Sequence, residues 1–514
     1  GGTVKAIYFG GLPLACQLVE RDIPEVTAVF AGDETPAECL RLLGIDTRLL
    51  PSEIAAGATY DEDRLAFGRN LIQRADYRGI KRVDRKASKG FGTDQETLWD
   101  RIHHGTQCGL PPLMRAHVGP YLPDRQSAVK LFFEWTKQLA DSGLLDVLSI
   151  GTSQLTQSNF GDDWGNRPNG GGVPLNSPEE FAETWRIARP MLVRSYAGTR
   201  DVVDLARMFE RTIHIAWHAL SLWWFSRIDG RGPYSVRDNL QQHLETLRFI
   251  ASTGKPYEPN VPHHFAFRGA DDVTYIVSAV LAARAAKAQG VRTLVLQIML
   301  NTPKATWGIQ DLAKARALLQ LVREIEDEHF HVFLQPRGGL DYFSPDAEKA
   351  KAQLAAVTAL MDDIEPHDPT SPPLIHVVSY SEGSHLADPA VVNESIQVTR
   401  YALEQYRRLR ARGHIDDMAK HPQVTERTAE LLSEARTVLE SIERTVPAPY
   451  SAEGLYNILV QGFLPIPYLW ECKDEFPKAT AWSTRLMSGS VKVVDAQGRV
   501  ITARERMRLT TDPL

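Results

Sequence analysis

The sequence holds only four cysteines in 514 residues, Cys16, Cys39, Cys108 and Cys472, and no two stand at the spacing of a C-x-x-C metal site or a disulfide framework. That scatter suits a reducing compartment and buried thiols. No apolar run approaches the ~20 residues needed to span a bilayer, which argues against a helical membrane protein. The opening "GGTVKAIYFGG" has neither a basic segment nor an apolar segment followed by a cleavage site, so a cytoplasmic location is expected. No basic tract is interleaved with aromatics, and the net charge is −6, which disfavours nucleic acid as a partner. The pairs His103-His104 and His263-His264, with His376 and His385, lack H-x-x-x-H spacing, so no metal site is expected. What remains is ordinary. Hydrophobic residues at 43% and charged residues at 24% suit a sizeable core, and the length suits one large domain with appendages or two to three domains.

From about residue 110 short apolar runs alternate with longer segments of helical period, the pattern of a parallel sheet built from βα units. The strand candidates are residues 112–118, 147–152, 191–198, 219–225, 263–268, 293–300, 331–338 and 374–382. Between them lie amphipathic stretches such as "RQSAVKLFFEWTKQLAD" and "GIQDLAKARALLQLVREIEDE". Eight such units predict an α/β protein of the (β/α)8 TIM-barrel class. The expected organisation is an N-terminal α/β extension over residues 1–108, a catalytic barrel over 109–411, and a C-terminal helical and strand appendage over 412–514. In the extension, "FGGLP" lacks the G-x-G-x-x-G frame and reads as a tight strand-to-helix turn. In the appendage, "SVKVVDAQGRVIT" reads as two strands around an Asp-Ala-Gln-Gly turn.

A barrel carries its active site at the C-terminal ends of its strands. Those ends offer Arg115, the polar rim "TSQLTQSNF" with Gln157, and Arg194. They also offer the aromatic run Trp223-Trp224-Phe225, then Arg268, Lys304, Arg337 with Gly338 and Gly339, and Glu382. Several arginines at one mouth suit a carboxylate-bearing or otherwise anionic ligand, because the guanidinium fork makes paired charge-assisted bonds. In the aromatic run, adjacent strand residues point to opposite faces, so at least one ring is expected at the interior or mouth. Lys304 offers a Schiff-base alternative.

Taken in order, "LMRAHVG", "ADSGLLDVLSIGTSQLTQSNF", "RPMLVRSYAGT", "GPYSVRDNLQQHLETLRFI", "QPRGGLDYFSPDAEKA", "HVVSYSEGSHLADP" and "VQGFLPIPYLWECKDEF" resemble the large (epsilon) subunit of adenosylcobalamin-dependent glutamate mutase, the methylaspartate mutase family. The resemblance covers roughly residues 108–502. It implies an isomerase that rearranges a carbon skeleton by radicals, with adenosylcobalamin carried mainly by a small partner subunit bearing Asp-x-His-x-x-Gly. This chain has no such motif; the nearest string, "DEHFHV" at Asp327, lacks the glycine. A hetero-oligomer around a dimer of this chain is implied.

By the same resemblance Arg115, Arg194 and Tyr234 stand at substrate-binding positions. Glu382 stands where the family holds the adenosyl ribose, with Arg337, Gly338 and Gly339 on the cofactor side. The resemblance breaks at three places. The third substrate arginine is replaced by Gln157, the glutamate that meets the substrate amino group falls within the carboxylate-free stretch 223–227 around Trp224, and the lysine four residues before Glu382 is Val378. The implied activity is therefore a mutase acting on a carboxylate other than glutamate. Glutamate mutase itself, a cobalamin-free lyase or aldolase, and a non-catalytic partner subunit stand as alternatives.

Overall fold

The computed structural model describes residues 6–9, 13–30, 34, 36–49, 52–167 and 170–511. The chain is a mixed α/β protein with parallel sheets. A small N-terminal unit pairs β1 (Ala6–Phe9) with β2 (Val26–Phe30) in parallel across helix Pro13–Asp22. The Gly10-Gly11 turn lies outside the described residues.

Eight further strands follow, β3 (Leu113–Val118), β4 (Val147–Ile150), β5 (Leu192–Arg194), β6 (His218–Leu220), β7 (Tyr257–Pro259), β8 (Thr293–Leu300), β9 (His331–Gly338) and β10 (Leu374–His376). They form two four-stranded parallel sheets, β10-β3-β4-β5 and β6-β7-β8-β9. A helix of 11 or more residues follows each strand, from Arg125–Ser142 after β3 to Pro389–Ala411 after β10. Side-chain oxygens of Asp124, Ser177, Ser235 and Asp388 cap four of these helices by accepting from otherwise unpaired N–H groups.

Two of the helices, Asp272–Ala288 and Ala347–Asp362, are buried on nearly every side. Their outward faces are covered by a second shell: Pro422–Thr445 lies over the first and Ser52–Arg74 over the second. The second pair packs so closely that a Cβ on Gly68 would stand 2.2 Å from the Ala352 carbonyl oxygen. This double cover explains alanine-rich, apolar sequence where a single solvated face would demand charge.

The facing sides of the two sheets enclose one stack of side chains. Since alternate residues of a strand share a face, the inward positions run Leu113, Arg115, His117 on β3; Leu192, Arg194, Tyr196 along β5; Val295, Gln297, Met299 on β8; and Phe333, Gln335, Arg337 on β9. The first tier is apolar: Leu113, Val147, Leu192, Val295 and Leu374 cluster with Trp217 and Phe333. Leu98 and Ile102 of helix Leu98–Gln107 join that cluster and close the N-terminal ends of the strands.

Three sequence expectations need correction. "HHFAFR" at residues 263–268 is not a strand. Pro262 starts a short helix, Pro262–Ala266, as suits a residue with fixed φ and no N–H to donate, and the strand of this unit is the three-residue β7. The run through Trp223 to Phe225 is likewise not strand. β6 stops at Leu220, and positive φ at Leu222 and Phe225 (50° and 60°) turns the chain. In the C-terminal hairpin, β12 (Ser490–Val494) pairs back with β11 (Ser483–Met487), while the Asp495–Arg499 turn leads only to a single bridge, Val494 with Val500.

Candidate functional site

The second tier of the stack is polar and sealed from solvent. Arg115 and Arg194 converge on one carboxylate, Glu258: Arg115 Nη1 lies 3.1 Å from Oε2 and Arg194 Nη2 lies 3.0 Å from Oε1. Trp217 Nε1 donates to Glu258 Oε2 at 2.6 Å and Gln335 Nε2 donates to it at 3.2 Å. Arg115 also donates to Gln335 Oε1 at 2.8 Å, and Arg194 to Ser149 Oγ at 3.0 Å. Burial by itself would raise the Glu258 carboxyl, but the two guanidiniums hold it down to about 2. Burial and the nearby Arg194 push the Arg115 guanidinium down to about 9, so it remains charged near neutral pH.

Above this tier, at the C-terminal ends of the strands, opens a cavity of about 490 Å³. Its walls include His117 near the end of β3, Gly151 and Thr152 after β4, Gln157, Tyr196 after β5, and Glu382 after β10. One wall is bare backbone. A Cβ on Gly119 would stand 2.0 Å from the Gly151 carbonyl oxygen, and one on Gly172 would stand 2.1 Å from the same atom. Only glycine permits that approach. Glu382 lines the same cavity, its Oε1 3.9 Å from His117 Nδ1 and its Oε2 buried with no hydrogen-bond partner among the described residues. Burial opposes the charge of Glu382, yet His117 and Arg337 hold its carboxyl below the usual range. His117 is pushed down to about 4, chiefly by burial, and so is neutral at pH 7.

The rim "TSQLTQSNF" forms the short helix Gln154–Ser158, and most of its polar atoms hold loops. Ser153 Oγ caps the helix, Thr156 Oγ1 donates to the Leu175 carbonyl at 2.8 Å, and Gln154 Nε2 donates to the Arg231 carbonyl at 2.9 Å. Of the six residues Ser153, Gln154, Thr156, Gln157, Ser158 and Asn159, Gln157 alone lines the cavity. Its Nε2 donates to the Thr152 carbonyl at 3.0 Å, leaving Oε1 as an acceptor without a partner among the described residues.

The remaining sequence-selected residues scatter. Trp224 is fully buried, packed edge-on against Phe265 with the Arg268 guanidinium 4.4 Å from its ring centre, and it does not line the cavity. Neither does Trp223, whose Nε1 donates to the Leu455 carbonyl; Phe225 comes nearest, its ring 5.5 Å from Tyr196. Tyr234 is half-buried in the loop before helix Val236–Thr253, where its carbonyl accepts from Arg227 N. A Cβ on Gly339 would stand 2.7 to 2.8 Å from Thr302 Oγ1 and the Asn301 carbonyl oxygen, whereas one on Gly338 would make only ordinary contact with Val357 and Phe343. Leu340, just beyond, reaches the cavity. Lys304, on the loop after β8, does not line it. Among the described residues no group of three or more His, Cys, Asp or Glu side chains is placed to hold a metal ion, and no helix is long and apolar enough to cross a membrane.

Sequence reasoning missed Glu258 as a member of the site. It lies on the strand whose start was assigned six residues too late, at 263 rather than Tyr257. The signal was "GKPYEP": a glycine that ends a helix with positive φ at Gly254, then a short run broken by Pro259. Compared with protein families and with curated proteins, the chain matches none.

Proposed function

We propose that the eight strands close into a (β/α)8 barrel and that the chain is the catalytic subunit of an adenosylcobalamin-dependent carbon-skeleton mutase acting on a carboxylate other than glutamate. The observation that carries this reading is the cavity itself. It pairs a glycine-lined wall with an unpartnered carboxylate oxygen of Glu382, above a floor with excess positive charge. Arg115, Arg194 and Arg337 are set against Glu258 and Glu382, so three cations less two anions leave one positive charge for an anionic ligand.

The residues present fit an adenosyl group. A carboxylate can accept from both hydroxyls of a ribose, and Glu382 Oε2 has no protein donor. At Gly119, Gly151 and Gly172 the cavity is lined by backbone rather than side chains, a surface against which a planar group can lie. When bound, the cofactor supplies the radical that removes hydrogen from the substrate. The chain's own residues orient the two ligands and keep water out. Gln157 offers an acceptor where a second substrate carboxylate would need a cation, and residues 223–227 bring no carboxylate to meet an ammonium group. Both features support a substrate other than glutamate.

The test is reconstitution under anaerobic conditions with a small subunit bearing Asp-x-His-x-x-Gly. The isolated chain is expected to bind adenosylcobalamin weakly, and the complex to show substrate-dependent radical signals by electron paramagnetic resonance with acids other than glutamate. Conversion of glutamate to 3-methylaspartate as the preferred reaction would overturn the substrate assignment. Failure of every pairing to bind the cofactor would overturn the mutase reading.

A further inference from the structure

The three guanidiniums below the cavity differ in what they hold. Arg115 and Arg194 both pair with the Glu258 carboxylate and are further held by Gln335 and Ser149, with only the Nε of each left without a partner. Arg337 is 8% exposed, and its one side-chain hydrogen bond among the described residues runs from Nε to the neighbouring Gly338 carbonyl at 3.0 Å. No carboxylate of the described residues lies within 4.0 Å of it. A buried guanidinium with no anion is strongly disfavoured, whereas one that awaits an anionic ligand is compensated on binding.

Its position points to where that ligand sits. Arg337 is two residues beyond Gln335 on β9, so it shares the inward face one tier higher. On β3 and β5 the equivalent step from Arg115 and Arg194 reaches His117 and Tyr196, both of which line the cavity, while Arg337 lies just behind the lining, in electrostatic reach of Glu382 and Tyr196. Tyr196, its ring 5.0 Å from the Arg194 guanidinium carbon, has no hydroxyl partner among the described residues.

We propose that Arg337 anchors the substrate's single carboxylate, with the Tyr196 hydroxyl as a second donor, while Arg115 and Arg194 act one tier below without touching it. The proposal rests on reading the cavity as a substrate site. It assigns to Arg337 a role on the substrate rather than the cofactor, and it names the substrate class as an acid with one free carboxylate. A second carboxylate would meet Gln157 Oε1 or Glu382 and be repelled.

The test uses the full chain without cobalamin, so its failure is separable from failure of the mutase reading. Ligand-observed NMR titrations with isobutyrate, its neutral isostere isobutyramide, and succinate read the site directly. Isobutyrate is expected to bind saturably, at least tenfold tighter than isobutyramide, and succinate no tighter than isobutyrate. Arg337→Gln removes the discrimination, and Arg337→Lys keeps part of it, since an ammonium lacks the paired geometry. Tyr196→Phe, a change that conserves the ring, weakens isobutyrate severalfold and serves if the arginine variants do not fold. Melting temperatures monitor folding throughout. Equal binding of acid and amide by the parent chain overturns the proposal, as does unchanged isobutyrate binding in folded Arg337→Gln together with loss in folded Arg194→Gln.

Discussion

Arg194 Nη2 and Glu258 Oε1 lie 3.0 Å apart with both side chains at 1% exposure or less, and the other oxygen of the same carboxylate holds Arg115. One anion on β7 therefore pairs with two cations that both come from the other sheet, on β3 and β5. Its removal leaves both buried and uncompensated. Glu258→Ala is expected to cost roughly 3 to 5 kcal/mol or to prevent folding, checked by urea unfolding. A loss below about 1 kcal/mol would mean that the arginines find water or another partner.

Buried histidines should make the protein acid-sensitive well above the carboxylate range. Burial pushes His117 down to about 4 and His243 and His263 to about 3. Between those values and the ordinary value near 6.5, the unfolded chain binds protons that the folded chain does not, so stability is full above pH 6.5 and falls as pH drops toward 4. Glu258, held to about 2, loses its own contribution only as pH falls below about 4.5. The melting temperature should drop between pH 7 and pH 5, and the triple substitution of these histidines by asparagine or glutamine should flatten that slope even if it lowers stability throughout.

Gly119→Ala places a methyl 2.0 Å from the Gly151 carbonyl oxygen, with backbone atoms as the obstacle. The strand ends must shift, at an expected cost of about 1 to 3 kcal/mol, and the cavity wall moves with them. Gly79→Ala is the control for general glycine effects, since a Cβ there meets nothing within 4 Å and, as at Gly119, φ is not positive. If Gly119→Ala is no more damaging than Gly79→Ala, the close approach at the wall is not essential.

Glu382→Gln is expected to leave the fold intact, because the side chain sits at the cavity edge and is 25% exposed. In the reconstituted complex it should slow radical formation by one to two orders of magnitude, on the basis that a bond to a charged group contributes about 1.5 to 3 kcal/mol. Stopped-flow spectroscopy of cobalt-carbon bond cleavage reads this. Cleavage at the parent rate would free Glu382 of any role at the ribose.

Local pattern determined much of the secondary structure. The strands β8 and β9 match the residues their apolar runs marked, 293–300 and 331–338, and helix Pro422–Thr445 follows its period, because alternation and 3.6-residue spacing are properties of neighbouring residues. The three-residue strands β6 and β7 were misjudged for the same reason: they are too short to carry a period, and nearby aromatics at Trp223, Trp224 and Phe265 are apolar for reasons of core packing rather than strand geometry.

The sequence by itself also determined which residue types crowd the strand ends, the arginines, the amide rim and Glu382. Their roles were decided by tertiary structure. Arg115 meets a carboxylate 143 residues away and a glutamine 220 residues away, Gln154 and Thr156 turn to loop carbonyls, and Trp224 goes to the core. Arg337, with the same charge as Arg115 and the same alternation on its strand, stands one tier higher and has no carboxylate within 4.0 Å among the described residues, Glu382 acting on it only from farther off. Charge and periodicity are written residue by residue, but whether a buried charge already has its counter-ion depends on which strands are brought face to face, and only the folded chain settles that.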